Sequence, residues 1–326
     1  MLAVAEHLDT VNLPHDRHVI EGILDRSERS FSGELSGADL EYLFVLEDLS
    51  ANRIIGTSMI YAQHGTKRAP HIFFRVENDE RYSVTLDRYF VHRTLRIGYN
   101  YNGPTEIGGL ILLPEFRRNA HALGKALSYV RFLFIRMHRP LFRSQVLSEL
   151  LPPLEPDGTS KLWKALGRRF TGLTYQEADR LSKDNKEFIN ALFPDDPIHT
   201  ELLPDDVQAI IGQVGEDTKA VEKMLRRIGF DYAEQIDPFD GGPHFLASTD
   251  EITIVRDASE LEVRTATDSG ERTWAIVAVE TPGARPQFRA IGGPVTRLAG
   301  GAVGLTEEAR GRLGVEVGQK VWLSFG

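Results

Sequence analysis

The chain has 326 residues, which is enough for two domains or for one large domain with an appendage. Its formal net charge of −9 argues against nonspecific nucleic-acid binding, because neutralising a phosphate backbone requires a basic face. The sequence contains 0 cysteines, which excludes disulfides, cysteine-ligated zinc and a thiol nucleophile and fits a cytoplasmic protein. No apolar run approaches the roughly 20 residues that span a bilayer, so no membrane partner is expected.

The first hundred residues predict a helix followed by strands. Apolar residues along one side of residues 14–31 indicate an amphipathic helix. Polar turn residues between the apolar runs 42–46 and 53–61 indicate a β-hairpin. Residues 71–76 predict a third strand, and the weak alternation over 82–97 predicts an irregular one.

The centre of the chain, from Thr105 to Met137, predicts a buried strand over 107–113, a short basic loop and a long helix. The helix carries apolar residues at the spacing of a 3.6-residue period, namely Leu123, Leu127, Val130, Phe134 and Met137. Its first turn offers free N–H groups and the positive end of the helix dipole, and Arg117 and Arg118 add full charges. This segment therefore predicts an anion site, and phosphate is the natural ligand.

The second half of the chain begins with a short strand over 145–150. Residues 151–217 open with prolines and glycine and then follow helical patterns, which indicates a helical insertion. A further amphipathic helix is predicted over 218–229. A strand pair at 231–237 and 244–248 follows it.

From about Asp257 onward, short β-rich runs alternate with glycine and proline, which predicts a small β-rich appendage. We therefore expect a main domain over 1–256 and the appendage over 257–326. The order of elements in the main domain predicts an α/β fold with one central mixed sheet.

Several separate segments, in the same order along the chain, resemble one known family. They are RSERSFSGE at 26–34, YLFVLED at 42–48, the central strand–loop–helix, LWKALGRRF at 162–170, AIIGQV at 209–214 and FDGGP at 239–243. Over about residues 10–255 the chain resembles the bacterial arginine N-succinyltransferase family of the GCN5-related N-acyltransferase superfamily. This resemblance implies a mixed central sheet flanked by helices. The implied reaction is transfer of a succinyl group from succinyl-CoA to the α-amino group of arginine, which is the entry step of the succinyl pathway of arginine breakdown.

The resemblance also implies where the acyl donor binds. In the superfamily the strands that correspond to 105–113 and 145–150 splay apart, and acyl-CoA lies in the opening as a co-substrate, not as a tightly bound cofactor. The implied donor-binding residues are Leu112, Leu113, Arg117, Arg118, Ala120, Ala122, Gly124 and Lys125. The pyrophosphate loop departs from the family pattern, because Ala120 stands at the first glycine position and its Cβ restricts close approach of phosphate.

Two glutamates match glutamates of the family pattern. Glu106, on the central strand, is the candidate base, acting directly or through water, or a substrate contact, although a structural salt bridge is the alternative. Glu149, at the end of the next strand, is a candidate catalytic and substrate-binding group that would hold an ammonium or guanidinium, unless it pairs with the helical insertion. Asp240 is expected either to contact substrate or to cap its tight turn, and Tyr175 is a candidate general acid. His15 and His18 lie three residues apart on a predicted helix, but no third ligand lies nearby in sequence, so no metal site is expected.

The residues alone leave other functions open. The chain can instead be a non-catalytic or regulatory subunit that pairs with an active homologue, or an acyltransferase for a different acyl-CoA or amine. The expected partners are small molecules, namely succinyl-CoA and arginine or ornithine. A homo-oligomer, or a hetero-oligomer with a homologous subunit, is also expected.

Overall fold

The computed structural model describes residues 17–117, 121–266, 271–281 and 287–325. Its strands are β1 (Glu41–Asp48), β2 (Arg53–Tyr61), β3 (His71–Ser83), β4 (Arg88–Asn100), β5 (Thr105–Leu112), β6 (Gln145–Glu149), β7 (Ile198–His199), β8 (Asp231–Ile236), β9 (Pro243–Ser248), β10 (Ser259–Thr265), β11 (Arg272–Thr281), β12 (Gln287–Leu298), β13 (Ala302–Leu305) and β14 (Lys320–Phe325). Its α-helices are α1 (Arg17–Phe31), α2 (Leu123–Met137), α3 (Arg168–Thr171), α4 (Tyr175–Asp184), α5 (Glu187–Leu192), α6 (Asp205–Gln208), α7 (Lys219–Arg227), α8 (Thr253–Asp257) and α9 (Glu307–Leu313).

These elements form two compact units. Unit 1 contains the described residues of Met1–Gln63, Thr105–Ser144 and Ser248–Gly326, and unit 2 contains those of His64–Pro104 and Gln145–Ala247. In the part of the chain that the structure describes, no helix is both long and apolar enough to cross a bilayer.

In unit 1, β1, β2 and β5 are neighbouring antiparallel strands. Helix α1 is fixed to β1 by two serine hydroxyls, because Ser27 Oγ and Ser30 Oγ accept the amides of Leu43 and Glu41, each at 2.9 Å. Apolar side chains of α1, β2 and β5 complete this packing, and Met59 of β2 is fully buried among them.

The C-terminal strands of unit 1 close into a barrel in the order β10-β13-β12-β11-β14. Barrel strands pack on α2. A Cβ built on Gly292 of β12 would lie only 2.4 Å from the Cβ of Ala126. Lys125 Nζ lies 3.9 Å from the centroid of the Trp274 ring of β11, a cation–π contact. The barrel is therefore anchored on the same helix that follows the predicted anion loop.

In unit 2 the strand order is β6-β9-β8-β3-β4-β7. The helices of the predicted insertion surround a buried core in which the Trp163 ring stacks on Phe239, with centroids 4.9 Å apart and an interplanar angle of 10°. Trp163 lies in a π-helical turn, Trp163–Gly167, and its Nε1 donates to the carbonyl of Leu173 at 3.0 Å.

The β3–β4 hairpin and helix α9 differ from the sequence prediction. β3 and β4 form one regular hairpin paired from His71↔Asn100 to Ser83↔Arg88, whereas the sequence predicted a shorter strand and an irregular one. The outer half of the hairpin is mostly exposed, so no buried face imposes the alternation that reveals strands. Helix α9 was not predicted, although Thr306 caps it by accepting the amide of Ala309 and Gly314 ends it in the left-handed conformation.

Candidate active site

Three side chains of unit 1 form a row across β1, β2 and β5. Glu41 pairs with Tyr61, and Tyr61 pairs with Glu106. Residues that are directly opposite in antiparallel strands face the same side of a sheet, so these three lie side by side. Arg26 of α1 reaches the end of the row, where its Nε donates to Glu41 Oε2 at 2.7 Å.

A cavity of about 360 Å³ opens beside this row. Its lining includes Arg26 and Arg29 together with Asp39, Glu41 and Tyr61, so guanidinium and carboxylate groups face the same space. Burial raises the pKa of Glu41, whereas the Arg26 guanidinium lowers it and the charge of Glu106 raises it further. Burial also raises the pKa of Tyr61, with a further contribution from Glu41 and Glu106, which keeps the phenol protonated. The protonated Tyr61 hydroxyl can therefore donate a hydrogen bond, and it points to Met59 Sδ at 3.7 Å.

Strand β5 is irregular just after Glu106. The register shifts between Thr57 and Met59 of β2, and Gly109 of β5 has a φ of 55°. A Cβ at Gly109 would lie 2.9 Å from Met59 Cγ, so the position requires glycine on both counts. This bulge bends β5, as β-bulges next to active sites commonly do.

A buried arginine supports the bulge. Arg131 of α2 is only 2% exposed, and burial lowers the pKa of its guanidinium to about 9. It donates to the carbonyl of Gly108 at 3.3 Å and to the carbonyl and hydroxyl of Ser128 at 3.1 and 3.0 Å. The guanidinium therefore fixes the start of the bulge to α2.

The junction between β5 and α2 has an unusual backbone. Ala122 precedes α2 in the left-handed conformation, at φ 52° and ψ 41°, and makes no side-chain cap. An alanine in this region is strained, and such strain is concentrated at ligand-binding segments. Ala122 provides no side chain to cap the first-turn N–H groups of α2. A backbone anion site requires such uncapped N–H groups.

The predicted donor-binding residues have the following surroundings. Arg117 is exposed and its Nε donates to the carbonyl of Leu112 at 2.9 Å, while Leu113 is buried and its amide donates to Ile55 at 3.0 Å. Gly124 lies in the first turn of α2, and Lys125 faces Trp274. Arg118 and Ala120 lie outside the described residues. The donor-binding role of all eight residues stays a prediction.

Unit 2 contains a second cluster, centred on Glu149 at the end of β6. The Nε2 atoms of His71, His244 and His64 lie 3.2, 3.4 and 3.9 Å from Glu149 Oε1. His71 begins β3, His244 follows the first residue of β9, and His64 precedes both along the chain. The His71 and His244 rings stack with centroids 5.2 Å apart.

This cluster holds a carboxylate next to a neutral imidazole. Burial alone raises the pKa of Glu149, but the hydrogen bond from His71 and the nearby His64 outweigh it and hold that pKa well below its usual range. Burial lowers the pKa of His244 to about 3, so this fully buried ring is neutral at physiological pH.

The turn FDGGP lies next to this cluster and is organised by two aspartates. Asp237 Oδ1 accepts the amides of Phe239 and Asp240 at 2.7 and 3.1 Å, and Asp240 Oδ1 accepts the amide of Gly242 at 2.7 Å. Burial raises the pKa of Asp237 to about 7, and burial together with Asp237 raises the pKa of Asp240 further above its usual range. Asp240 thus caps the turn with one oxygen, and its role in binding substrate stays a prediction.

Tyr175, the candidate general acid, begins α4 in unit 2. Its side chain is 8% exposed, and burial together with Asp240 and Asp237 raises its pKa. The predicted catalytic residues are divided between the units, with Glu106 in unit 1 and Glu149 in unit 2. Sequence reasoning missed Glu41, Tyr61 and the three histidines around Glu149, because their partners are distant along the chain.

A family model described as the arginine N-succinyltransferase beta subunit matches residues 1–254. The chain belongs to this family. Arginine N-succinyltransferase of Yersinia enterocolitica is 34% identical over 253 residues, which are 77% of this chain and 72% of the relative. The subunit beta of the same enzyme from Pseudomonas aeruginosa is 33% identical over 83% of this chain and 75% of its own length.

A solved structure agrees with this assignment. The arginine/ornithine succinyltransferase subunit AI from Pseudomonas aeruginosa matches with a TM-score of 0.83 at 28% identity, over 99% of this chain and 94% of that chain. The family resemblance and the α/β fold with a C-terminal β-rich part, both predicted from the sequence, are confirmed. The chain is therefore grouped with transferases.

Proposed function

We propose that this protein transfers a succinyl group from succinyl-CoA to the α-amino group of arginine, as its family relatives are named for doing. The observation that carries the proposal is the row Glu41–Tyr61–Glu106 beside a charged cavity in unit 1. In this reaction the neutral amine attacks the thioester carbonyl, a C–N bond forms, the C–S bond breaks and coenzyme A leaves as the thiol. The protein must position both reactants and accept one proton from the amine.

Glu106 is the proposed proton acceptor. It lies on β5, opposite Tyr61 and three residues before the bulge at Gly109. A carboxylate in this place removes the ammonium proton directly or through one water molecule. Glu149 remains a predicted contact for the cationic end of the substrate.

The acceptor is proposed to bind in the 360 Å³ cavity. An amino acid carries a carboxylate and an ammonium, and arginine carries a guanidinium in addition. Arg26 and Arg29 suit the carboxylate, while Glu41 and Asp39 suit cationic groups by charge-assisted hydrogen bonds. The mixed charge of the lining therefore favours a zwitterionic acceptor over a neutral amine.

The donor is proposed to bind at the junction of β5 and α2. The uncapped helix N-terminus after Ala122 and the exposed Arg117 suit the pyrophosphate of coenzyme A. Succinyl-CoA would act here as a co-substrate. We further propose that the reaction takes place in the cytoplasm, where an acyl-CoA donor is at hand.

The beta-subunit description of the family supports a second proposal, that this chain works in a hetero-oligomer with a homologous subunit. The matching solved structure is also titled as a subunit. In that assembly the chain is either the catalytic member or a partner that supports it.

Thiol release from succinyl-CoA and acetyl-CoA, each combined with arginine and ornithine, tests both proposals. Turnover by the purified chain with succinyl-CoA and arginine is expected. Turnover only after addition of a homologous subunit would assign the chain to the partner role. The acyltransferase proposal would be contradicted if a folded protein shows no turnover in either case and its melting temperature does not change when coenzyme A is added.

A further inference from the structure

One carboxylate oxygen in unit 2 is approached by three imidazole nitrogens. The Nε2 atoms of His71, His244 and His64 all lie within 3.9 Å of Glu149 Oε1. His64, His71 and Glu149 each offer one ligand atom, and these three atoms lie within 4.8 Å of one another. Imidazole nitrogen combined with carboxylate oxygen is a donor set typical of zinc and related divalent ions.

The spacing of these atoms suits a tetrahedral ion. Zinc binds histidine nitrogen and carboxylate oxygen at about 2.0–2.2 Å, which places two ligands of a tetrahedron about 3.3–3.6 Å apart. The Glu149 Oε1 atom is 3.2 Å from His71 Nε2 and 3.9 Å from His64 Nε2, values on either side of that spacing. Side-chain adjustments of a few tenths of an ångström would bring both pairs to the tetrahedral distance.

We propose that His64, His71 and Glu149 bind one divalent transition-metal ion, with zinc as the best fit. Two histidines and one glutamate form a three-residue set that leaves a fourth position open, as catalytic zinc sites do. The His64 side chain is 24% exposed and gives the ion a path from solvent, while the His71 side chain is 4% exposed and holds a fixed position.

His244 acts as a positioning residue for the carboxylate. It is fully buried, and its Nε2 lies 3.4 Å from Glu149 Oε1. Among the described residues neither of its ring nitrogens has a hydrogen-bond partner, and the Glu149 carboxylate lies within ion-pair distance of its Nε2. His244, Glu149 and Asp237 also form a second group of potential metal ligands, whose donor atoms lie within 4.8 Å of one another. Surrounding groups of this kind orient ligands and tune metal affinity.

This site goes beyond the proposed transferase activity. The predicted role of Glu149 is to hold a cationic group of the substrate, and its Oε2 remains for that contact while an ion binds Oε1. The two roles are separable by experiment. Zinc binding can be measured with neither coenzyme A nor amino acid present, so it does not depend on the reaction.

The test is titration of chelator-treated full-length protein with zinc chloride by isothermal calorimetry. Visible absorption of cobalt(II) in place of zinc reports the coordination geometry. We expect one ion per chain and an absorption typical of four-coordinate cobalt. His64→Ala and Glu149→Gln should each weaken zinc binding by at least about 10-fold. His18→Ala, which removes a side chain that is 94% exposed on α1, is the matched control and should bind zinc like the parent.

Two results would overturn the metal site. One is a parent protein that takes up less than one zinc ion per chain. The other is uptake that His64→Ala and Glu149→Gln leave unchanged, which would assign the ion to a different place. Because His64 is partly exposed, His64→Ala is expected to fold, and its melting temperature without zinc verifies this. If the parent binds no zinc but Glu149→Gln loses arginine-dependent thiol release, the metal site fails while the substrate role stands.

Discussion

The contact between the barrel and α2 is the most sharply testable packing feature of unit 1. A Cβ built on Gly292 would lie 2.4 Å from Ala126 Cβ and 3.1 Å from the Trp274 ring. Ordinary carbon contacts lie at about 3.5–4.0 Å, so Gly292→Ala must separate the barrel strand and the helix by roughly 1 Å. Overpacking of a well-packed core typically costs about 1–3 kcal/mol.

We therefore expect Gly292→Ala to lower the free energy of unfolding by about 2 kcal/mol. For a unit of this size that corresponds to a fall in melting temperature of about 4–8 °C. Urea and thermal unfolding, followed by tryptophan fluorescence, measure both quantities. The barrel contributes Trp274 and Trp322, so the fluorescence reports on this contact.

The neighbouring glycine provides a matched control. A Cβ on Gly293 meets nothing within 4 Å, and neither glycine needs a positive φ. Alanine in a strand is favoured over glycine by about 0.5–1 kcal/mol, so Gly293→Ala should be neutral or slightly stabilising. If Gly292→Ala unfolds at the same temperature as Gly293→Ala, the close packing of β12 on α2 is refuted.

Two further substitutions test the site of unit 1. Arg26→Met removes the guanidinium that lowers the pKa of the buried Glu41, so a carboxylate is left buried without its partner. Because the Arg26 side chain is 48% exposed, we expect a loss of only about 1–2 kcal/mol at neutral pH. Burial already raises the pKa of Glu41 above its unfolded value, so Glu41 favours the folded state when it is protonated. The stability that Arg26→Met loses should therefore shrink as the pH falls through that raised pKa. Equal losses in urea unfolding at pH 4 and pH 7 would contradict this. Ala122→Gly relieves the left-handed alanine before α2 and should raise stability by about 1 kcal/mol, and a lower melting temperature would refute the strain at Ala122.

The sequence predicted the elements that bury one or more faces. The spacing of Leu127, Val130 and Phe134 identified α2, since all three are buried in the structure. The apolar run of β5 was equally clear. The hydrophobic pattern did not reveal strands that lack a buried face, such as the exposed outer half of the β3–β4 hairpin.

The sequence predicted only those site residues that match the family pattern individually. Glu106 stood out by resemblance to the family pattern. Its neighbours Glu41 and Tyr61 come from other strands, and only the register of the sheet brings them into one row. His64, His71 and His244 likewise come from different segments around Glu149, and no spacing rule for metal ligands covers such separations.

The central claim is that Glu106 takes the proton in succinyl transfer to arginine. The most direct measurement is the rate of arginine-dependent thiol release from succinyl-CoA by Glu106→Gln and by the control Glu80→Gln, at saturating substrates and with any required homologous subunit present. Glu80 is an exposed glutamate of β3, so Glu80→Gln should match the parent. We predict that Glu106→Gln lowers kcat by about 10²–10⁴-fold while the protein still binds coenzyme A. An unchanged kcat for Glu106→Gln would contradict the account.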